Sequence, residues 1–256
     1  MRRIIILLIM TACVSLSYAQ YGMMVGARVA LGVSYYTPQN NYGLFNRELD
    51  YKFNPGYNAG MRFGFGINKY HALLGEFNYN KQGQHYHDQF STGRNKPKET
   101  IDKDIDLNYM GGAILYRFSP LTKNQKTKKY KDLKGRLYLI GGLGINKLLS
   151  ADVVYFRNDV VDNAYPTNAT YGYAGVAEDK DLFMPIDINL ITEIGGEIFV
   201  NKTRNFAIEP SFRMQFGLND QNAKAFRVHD AYNASRNLFF GLQVGFLYFF
   251  DSEVKK

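Results

Sequence analysis

Residues 57–68 of the chain read YNAGMRFGFGIN, and this stretch decides the fold. Every second residue in it is apolar or aromatic, from Tyr57 through Met61 to Ile67, whereas the positions between them carry asparagine, glycine and Arg62. Because successive side chains point to opposite faces of a strand, this period of two predicts a β-strand with one apolar face and one small, polar face.

The same period recurs along the rest of the chain, so the sequence predicts an all-β protein. The register of residues 105–118 is the least regular, and a bulge near Gly111 and Gly112 would explain it. Pro210 has no N–H to donate, so a bulge or an unpaired position is expected there. Eight strands are predicted, at residues 23–35, 57–68, 72–82, 105–118, 136–147, 186–200, 205–218 and 237–250.

The connections between these strands alternate in length. In chain order they contain 21, 3, 22, 17, 38, 4 and 18 residues. In a meander the first, third, fifth and seventh connections lie at one end of the sheet, and both chain termini lie at the other. Long external loops and short periplasmic turns are typical of outer-membrane β-barrels, although the connection at 119–135 is longer than this pattern predicts.

Alternation also fits a soluble barrel or sandwich with its apolar face inside. Two features favour an up-and-down transmembrane barrel of eight antiparallel strands. The apolar face is rich in Phe and Tyr, and its only charges, Lys81, Arg117 and Lys147, fall at strand ends. The polar face holds many glycines, which a narrow barrel interior needs: Gly26, Gly32, Gly60, Gly64, Gly66, Gly142, Gly144, Gly195, Gly217, Gly241 and Gly245.

The first residues form a predicted secretory signal peptide. Arg2 and Arg3 precede the apolar run 4–10, and Ser17 and Ala19 occupy the positions that determine cleavage. Residues 1–19 are therefore expected to be removed, leaving residues 20–256 as one barrel domain. The alternative is a lipid anchor on Cys13, the only cysteine in the chain.

Short stretches distributed over almost the whole mature chain carry a family resemblance. They are residues 55–60 (PGYNAG), 74–83 (LGEFNYNKQG), 107–109 (LNY), 116–118 (YRF), 138–142 (YLIGG), 148–150 (LLS), 217–219 (GLN) and Phe250. In these stretches the chain resembles the PorT-like outer-membrane β-barrel family common in Bacteroidetes, although the proline usual in the fourth strand is absent. The resemblance implies location and fold but little about activity, because one member type serves a protein-secretion machine while most members have no assigned role.

The polar face carries charges of both signs, which would meet inside a barrel of this size. Buried charges persist when they are paired, so we predict an ion-pair network that plugs the lumen. The alternative is a gated path for ions or small solutes. The predicted network contains Arg28, Arg62, Glu76, Glu193, Glu197, Glu209 and Arg213, with Asp106 and Asp187 nearer the external rim.

Two connections are candidate contact regions. The connection 119–135 carries a basic run, interpreted as a solvated periplasmic turn or as a contact for anionic lipid or a periplasmic partner: Lys123, Lys126, Lys128, Lys129, Lys131 and Lys134. An exported protein with this run at the periplasmic rim is not expected to bind nucleic acid. The connection 148–185 is interpreted as an external binding loop or as a cap over the barrel, and its aromatic residues are Tyr155, Phe156, Tyr165, Tyr171 and Tyr173.

The sequence offers few residues for catalysis. His85, His87 and Asp88 could hold a divalent metal, and His229 with Asp230 could form a hydrolytic dyad, but both signals are weak. No catalytic, metal or cofactor site is assigned. The predicted protein is an outer-membrane barrel in contact with lipid that acts as a structural or interaction platform, with a secretion or envelope complex as the predicted partner. A channel and a loop-borne hydrolase are the alternatives.

Overall fold

The computed structural model describes residues 22–37, 50–68, 70–91, 98–120, 134–158, 160–161, 179–200, 205–223 and 234–250. Ten strands lie in these ranges, two of them very short. They are β1 (Met23–Thr37), β2 (Asp50–Lys52), β3 (Asn54–Gly66), β4 (His71–Ser91), β5 (Lys98–Phe118), β6 (Gly135–Arg157), β7 (Val160–Val161), β8 (Ile186–Phe199), β9 (Phe206–Gly217) and β10 (Arg236–Phe249).

The eight long strands close into a barrel in which every neighbour is antiparallel. Around the ring the order is β1, β3, β4, β5, β6, β8, β9 and β10, and β10 pairs with β1 again. Val29 lies opposite Ala59 on one side and Val244 on the other, so β1 has no free edge at this level. The predicted eight-stranded meander is confirmed. No helix among the described residues is long and apolar enough to cross a membrane.

The two ends of the barrel differ in shape. The end that holds Met23 and Phe249 also holds the turn between β3 and β4, and we call it the terminal end. At the opposite end β4, β5 and β6 run on past the other strands, with β2 and β7 paired alongside them. We call this opposite end the projecting end.

The projecting strands are longer than the sequence predicted. The predicted connection of residues 83–104 is mostly strand, because β4 and β5 stay paired to Ser91 and Lys98 and leave only residues 92–97 between them. Strand β6 likewise continues to Arg157, so Phe156 lies in a strand opposite Asp102 rather than in a loop. Polar residues face outward here, which hides the apolar period on which the prediction rested.

Strand β5 contains no bulge at Gly111 and Gly112. Its odd-numbered residues face inward from Ile105 to Arg117, and the register shift lies instead opposite Asn108 and Tyr109, where Leu149 is the extra residue of β6. The expected unpaired position at Pro210 is confirmed. Pro210 faces Val244 of β10, whereas the ladder between β8 and β9 is interrupted at this level.

The outer surface of the barrel wall is apolar. Leu242 is 74% exposed, Ile114 is 70% exposed and Leu137 is 68% exposed. Alternate residues on the same strands point inward and are buried, charged ones included. The polar residues therefore lie inside and the apolar residues outside, which is the reverse of a soluble barrel.

Inward glycines keep neighbouring strands close together. A Cβ at Gly32 would lie well under 3.0 Å from the backbone oxygen of Phe240, and one at Gly142 would meet the backbone oxygen of Ile114 in the same way. The obstacle is therefore the adjacent strand rather than a side chain across the lumen. The prediction that the polar face needs glycine is correct at these positions, but the reason is the tight curvature of the wall.

Candidate functional site in the barrel lumen

The lumen contains a layer of charged residues and two buried apolar clusters. At the terminal end Leu74, Leu115 and Ile140 belong to one buried apolar cluster, and at the projecting end Tyr86, Leu107 and Phe183 belong to another. The charged residues begin at the levels of the first cluster, where Arg117 lies opposite Ala72 and Ile140, and extend from there toward the second cluster. All seven residues of the predicted network point into this layer and are at most 5% exposed: Arg28, Arg62, Glu76, Glu193, Glu197, Glu209 and Arg213.

Glu76 is the centre of the part of the network nearer the projecting end. Its carboxylate accepts hydrogen bonds from Arg28 Nη2 at 2.7 Å, Arg62 Nε at 2.8 Å and Arg213 Nη2 at 2.9 Å. These arginines belong to β1, β3 and β9, so one carboxylate on β4 connects three other strands. Hydrogen bonds between charged groups are short and strong, and the guanidinium plane fixes their direction.

Glu193 forms a second centre beside Glu76. Arg62 Nη2 donates to both of its carboxylate oxygens, at 2.8 and 2.9 Å, and Arg213 Nη1 donates as well. Gln243 Nε2 also donates to Glu193, at 3.2 Å. Glu76 and Glu193 therefore share Arg62 and Arg213, and their like charges are screened by the two guanidinium groups between them.

A second group of charges lies nearer the terminal end. Arg117 donates to Glu209 Oε1 at 2.6 Å and to Glu197 Oε2 at 2.7 Å, and Arg136 Nε donates to Glu197 as well. Arg62 Nη1 lies 3.2 Å from Glu209 Oε2 and joins this group to the first one. The result is one continuous network across the lumen.

Arg117 corrects one prediction, because the sequence placed it on the apolar face. It is 1% exposed and lies inside the lumen, where the guanidinium also stacks over the ring of Tyr138 at 4.2 Å. The error arose because both faces of residues 105–118 are apolar, so hydrophobicity alone did not fix which way Arg117 points. Because the odd-numbered residues of this part of β5 face inward, Arg117 lies inside the lumen.

Two further charges were misjudged from the sequence. Arg136 stands at the start of β6, is 7% exposed and was not assigned to the network. It lies opposite Glu197 on β8, and this pairing would have identified it. Asp106 was expected to face the lumen but points outward, where it pairs with Lys81 Nζ at 2.8 Å.

The network is suited to closing the lumen rather than to proton transfer. Each of its four carboxylates is bound by at least one guanidinium group, which leaves none of them free to act as a general base. Neutral amides complete the shell, since Arg28 Nη1 donates to Gln243 Oε1 at 3.1 Å and to Asn58 Oδ1. The site therefore joins strands on all sides of the barrel.

The weaker predicted sites are only partly within the described residues. His85 pairs with Asp104 and His87 with Asp102, on the outer face of the projecting end. No cluster of three or more His, Cys, Asp or Glu side chains in the described ranges is placed to hold a metal ion. His229 and Asp230 lie outside the described residues.

The two predicted contact regions also lie mostly outside the described ranges. Of the basic run only Lys134 is described, and it is exposed beside the start of β6; Lys123, Lys126, Lys128, Lys129 and Lys131 are not described. Tyr155 and Phe156 belong to β6, whereas Tyr165, Tyr171 and Tyr173 fall outside.

The described end of the predicted loop 148–185 caps the lumen. A 3-10 helix at Asp179–Leu182 leads to Phe183, which is 6% exposed and meets the ring of Tyr36 edge-on at 5.9 Å between centroids. Phe183 also forms a bridge with Asn222 from the connection between β9 and β10. Of the two interpretations of this loop, the structure supports a cap for its last residues.

No family model matches the sequence, and no curated protein matches it. Solved structures similar to this chain include Neisserial surface protein A, with 14% identity over 90% of this chain and 97% of that one and a TM-score of 0.44. The outer membrane protein OprG of Pseudomonas aeruginosa has 12% identity over 91% and 97%, with a TM-score of 0.39. The attachment invasion locus protein Ail of Yersinia pestis, crystallised with a heparin analogue, has 12% identity over 89% and 99%, with a TM-score of 0.33.

Proposed function

We propose that the protein is an integral outer-membrane β-barrel with a closed lumen, which acts as a platform for other envelope components. The apolar wall supports the membrane location. On β4 the outward side chains from Leu73 to Phe77 are apolar, and the first outward charge, Lys81, comes ten residues after the strand begins. A transmembrane strand needs about 9–11 residues, so the apolar height of the wall matches a bilayer.

The proposed orientation is supported by the polar surface of the projecting end and by the pattern of the connections. Beyond Lys81 the outward side chains of β4 and β5 include His85, His87, Asp102 and Asp104, which belong in water. Because outer-membrane barrels carry long external loops and short periplasmic turns, we propose that the projecting end lies outside the cell and the terminal end in the periplasm. The predicted signal peptide supports the export that this arrangement requires.

The ion-pair network is the observation that supports a platform rather than a pore. Arg62 on β3 binds glutamates on β4, β8 and β9, so its side chain crosses the lumen. The apolar cluster containing Phe183 closes the lumen again at the projecting end. An ion moving through the barrel would have to break charged hydrogen bonds at one level and cross an apolar layer at the next.

The surface of the projecting end is the proposed contact region. Three long strands carry a rigid sheet beyond the membrane, and such a sheet holds its surface side chains more precisely than a loop does. A secretion or envelope complex is the proposed partner, and membership of the PorT-like barrels stays a prediction.

Conductance in planar bilayers tests the closed lumen. The refolded wild-type protein should show no steady open pore, whereas a porin in the same membrane should conduct. Replacing Arg62, Glu193 and Arg213 together with alanine removes the centre of the network and should raise the conductance of folded protein. A steady ohmic current through the wild type would show instead that the protein is a channel.

Co-purification from native membranes tests the platform. A variant with Asp102→Asn and Asp104→Asn alters only the projecting end, and a matched variant with glutamine at the six lysines of residues 123–134 alters the opposite connection. We expect the first variant to lose an envelope component that the wild type and the second variant retain. Loss in the second variant alone would move the contact to the periplasmic side.

A further inference from the structure

One buried carboxylate of the lumen lies outside the ion-pair network. Asp187 is the second residue of β8, points inward and is 1% exposed. Glu193, the nearest network residue on the same strand, is six positions away, which corresponds to about 20 Å along the strand. The guanidinium groups that neutralise Glu193 therefore lie far from Asp187.

Neutral groups are the hydrogen-bond partners that the structure gives Asp187. Gln221 Nε2 donates to Oδ1 at 2.7 Å, and Asn237 Nδ2 donates to Oδ2 at 3.3 Å. Among the described residues, no arginine, lysine or histidine forms an ion pair with this carboxylate. A carboxylate buried without a cation is costly, and folded proteins normally neutralise it with a cationic side chain or a metal ion.

Several side-chain amides around Asp187 have polar atoms without a hydrogen-bond partner. Both side-chain polar atoms of Asn189 are buried without a hydrogen-bond partner, and so is Oδ1 of Asn237, the residue that donates to Asp187. Asn146, which lies directly across from Asp187 on β6, has an unpartnered Nδ2. Buried side-chain amides are normally satisfied, so the unpartnered oxygens of Asn189 and Asn237 indicate a missing cation or donor, whereas the unpartnered NH2 groups of Asn146 and Asn189 need an acceptor and are not explained by a cation.

The strand register brings these groups together. Asn189 follows Asp187 by two residues on β8, so both point to the same side of the sheet, and Asn189 lies opposite Gly217 on β9. A Cβ at Gly217 would come within 3.3 Å of Asp187 Oδ1. Glycine therefore keeps a side chain away from the carboxylate at the point where β9 passes it.

We propose that Asp187, with the amide oxygens of Asn189 and Asn237, binds a monovalent cation, and that Na⁺ is its ligand. Carboxylate and amide oxygens are hard donors that suit alkali and alkaline-earth ions. A single negative charge is balanced by one monovalent ion, whereas a divalent ion would leave a buried positive charge. The proposal concerns the lumen alone and is independent of the platform.

Thermal unfolding in detergent tests this site. The refolded wild-type protein is heated in NaCl or in choline chloride at equal concentration, because choline is too large to enter the lumen, and unfolding is followed by the shift in gel mobility. A ligand that binds only the folded state stabilises it by mass action, so Na⁺ should raise the midpoint by about 3 °C. Asp187→Asn should abolish this difference.

Asp106→Asn is the matched control. It makes the same change from aspartate to asparagine, but at a residue that faces outward and lies outside the lumen. It should keep the full Na⁺ effect. If Asp187→Asn does not fold, Asn189→Ala tests the site through a neutral ligand and should reduce the effect. Equal midpoints in Na⁺ and choline for the wild type would overturn the proposal, and so would stabilisation by acid in place of Na⁺, which would mean that Asp187 is neutralised by a proton.

Discussion

The lumen network and the His–Asp face of the projecting end are built in the same way but differ in their access to water. Arg62 lies directly opposite Glu76 in the lumen, and His87 lies directly opposite Asp102 on the outer face. The side chains of the first pair are at most 1% exposed, whereas those of the second are 30% and 14% exposed. Strand register thus places the partners of both pairs opposite each other. Solvent access determines how much each pair contributes to the free energy of unfolding.

This difference in solvent access indicates which charged residues can be substituted without loss of stability and which cannot. Inside, each charge is held by several partners, and removing one leaves the others buried and unpaired. Outside, water replaces a lost partner, so an exposed pair contributes little to stability. The outer face can therefore meet a partner without cost to the fold, which the lumen cannot.

The largest loss of stability is expected from a substitution that separates two neighbouring strands of the barrel wall. Gly32→Ala places a Cβ against the backbone oxygen of Phe240, which cannot move without breaking the ladder between β1 and β10. We expect no folded barrel, because an added Cβ would overlap this backbone oxygen. Far-UV circular dichroism and gel mobility measure this, since the chain has no tryptophan.

Gly245→Ala is the control for that change. Gly245 also faces the lumen, but the nearest atoms to an added Cβ, on Glu209, are 3.5 Å away, which is an ordinary contact. This variant should fold like the wild type. Equal damage from both substitutions would show that inward glycines serve the lumen rather than the approach of strands.

The next effect comes from removing one charge of the network. Arg213→Met leaves Glu76 and Glu193 with one guanidinium fewer, and we expect a loss of about 3–5 kcal/mol in urea unfolding. The double variant Arg213→Met with Glu193→Leu should regain part of this loss, because charge is removed in equal amounts. A single variant as stable as the wild type would contradict a tightly coupled network.

A smaller effect is expected at the membrane boundary. Lys81 and Asp106 form a pair whose side chains are 34% and 38% exposed, so Lys81→Gln should cost less than about 1 kcal/mol. Salt screens such a pair, and the difference from the wild type should shrink as NaCl is raised. A loss as large as that of Arg213→Met would contradict this exposure and mean that the pair is shielded from water within the protein itself.

The smallest effect is expected on the outer face. His87→Gln keeps a polar side chain opposite Asp102, and we expect the free energy of unfolding measured in urea to change by no more than about 0.5 kcal/mol. Its retention of partner proteins should nevertheless be altered if this face is the contact region. A large loss of stability would place His87 in the structural core of the projecting sheet.

The fold was predictable because lipid and lumen impose opposite chemistry on alternate residues. That alternation is regular in β3 and β10, where apolar and small or polar side chains change places at nearly every step. The alternation also predicted that the seven network residues lie in the lumen, since the polar face of a small barrel points inward.

The direction of Arg117 and the length of the projecting strands were not predicted, because the two faces of the strand do not differ in hydrophobicity there. In β5 Leu107 and Leu115 face inward while Ile114 faces outward, so the apolar character of the strand says nothing about the direction of Arg117. Beyond the membrane the outer face meets water, and residues such as His85 and Asp104 resemble a loop. Strand pairing, which the sequence does not display, determines both regions.

The ladder between β1 and β10 has a consequence for assembly. It pairs Met24 with Phe249, two residues from opposite ends of the described part of the chain, whereas β4 and β5 pair as neighbours along the sequence. Contacts between distant residues form slowly. Until β10 is in place, β1 presents an unpaired edge that can join another chain and aggregate. The edge of β1 is therefore covered only when β10, the last described strand of the chain, pairs with it and closes the barrel.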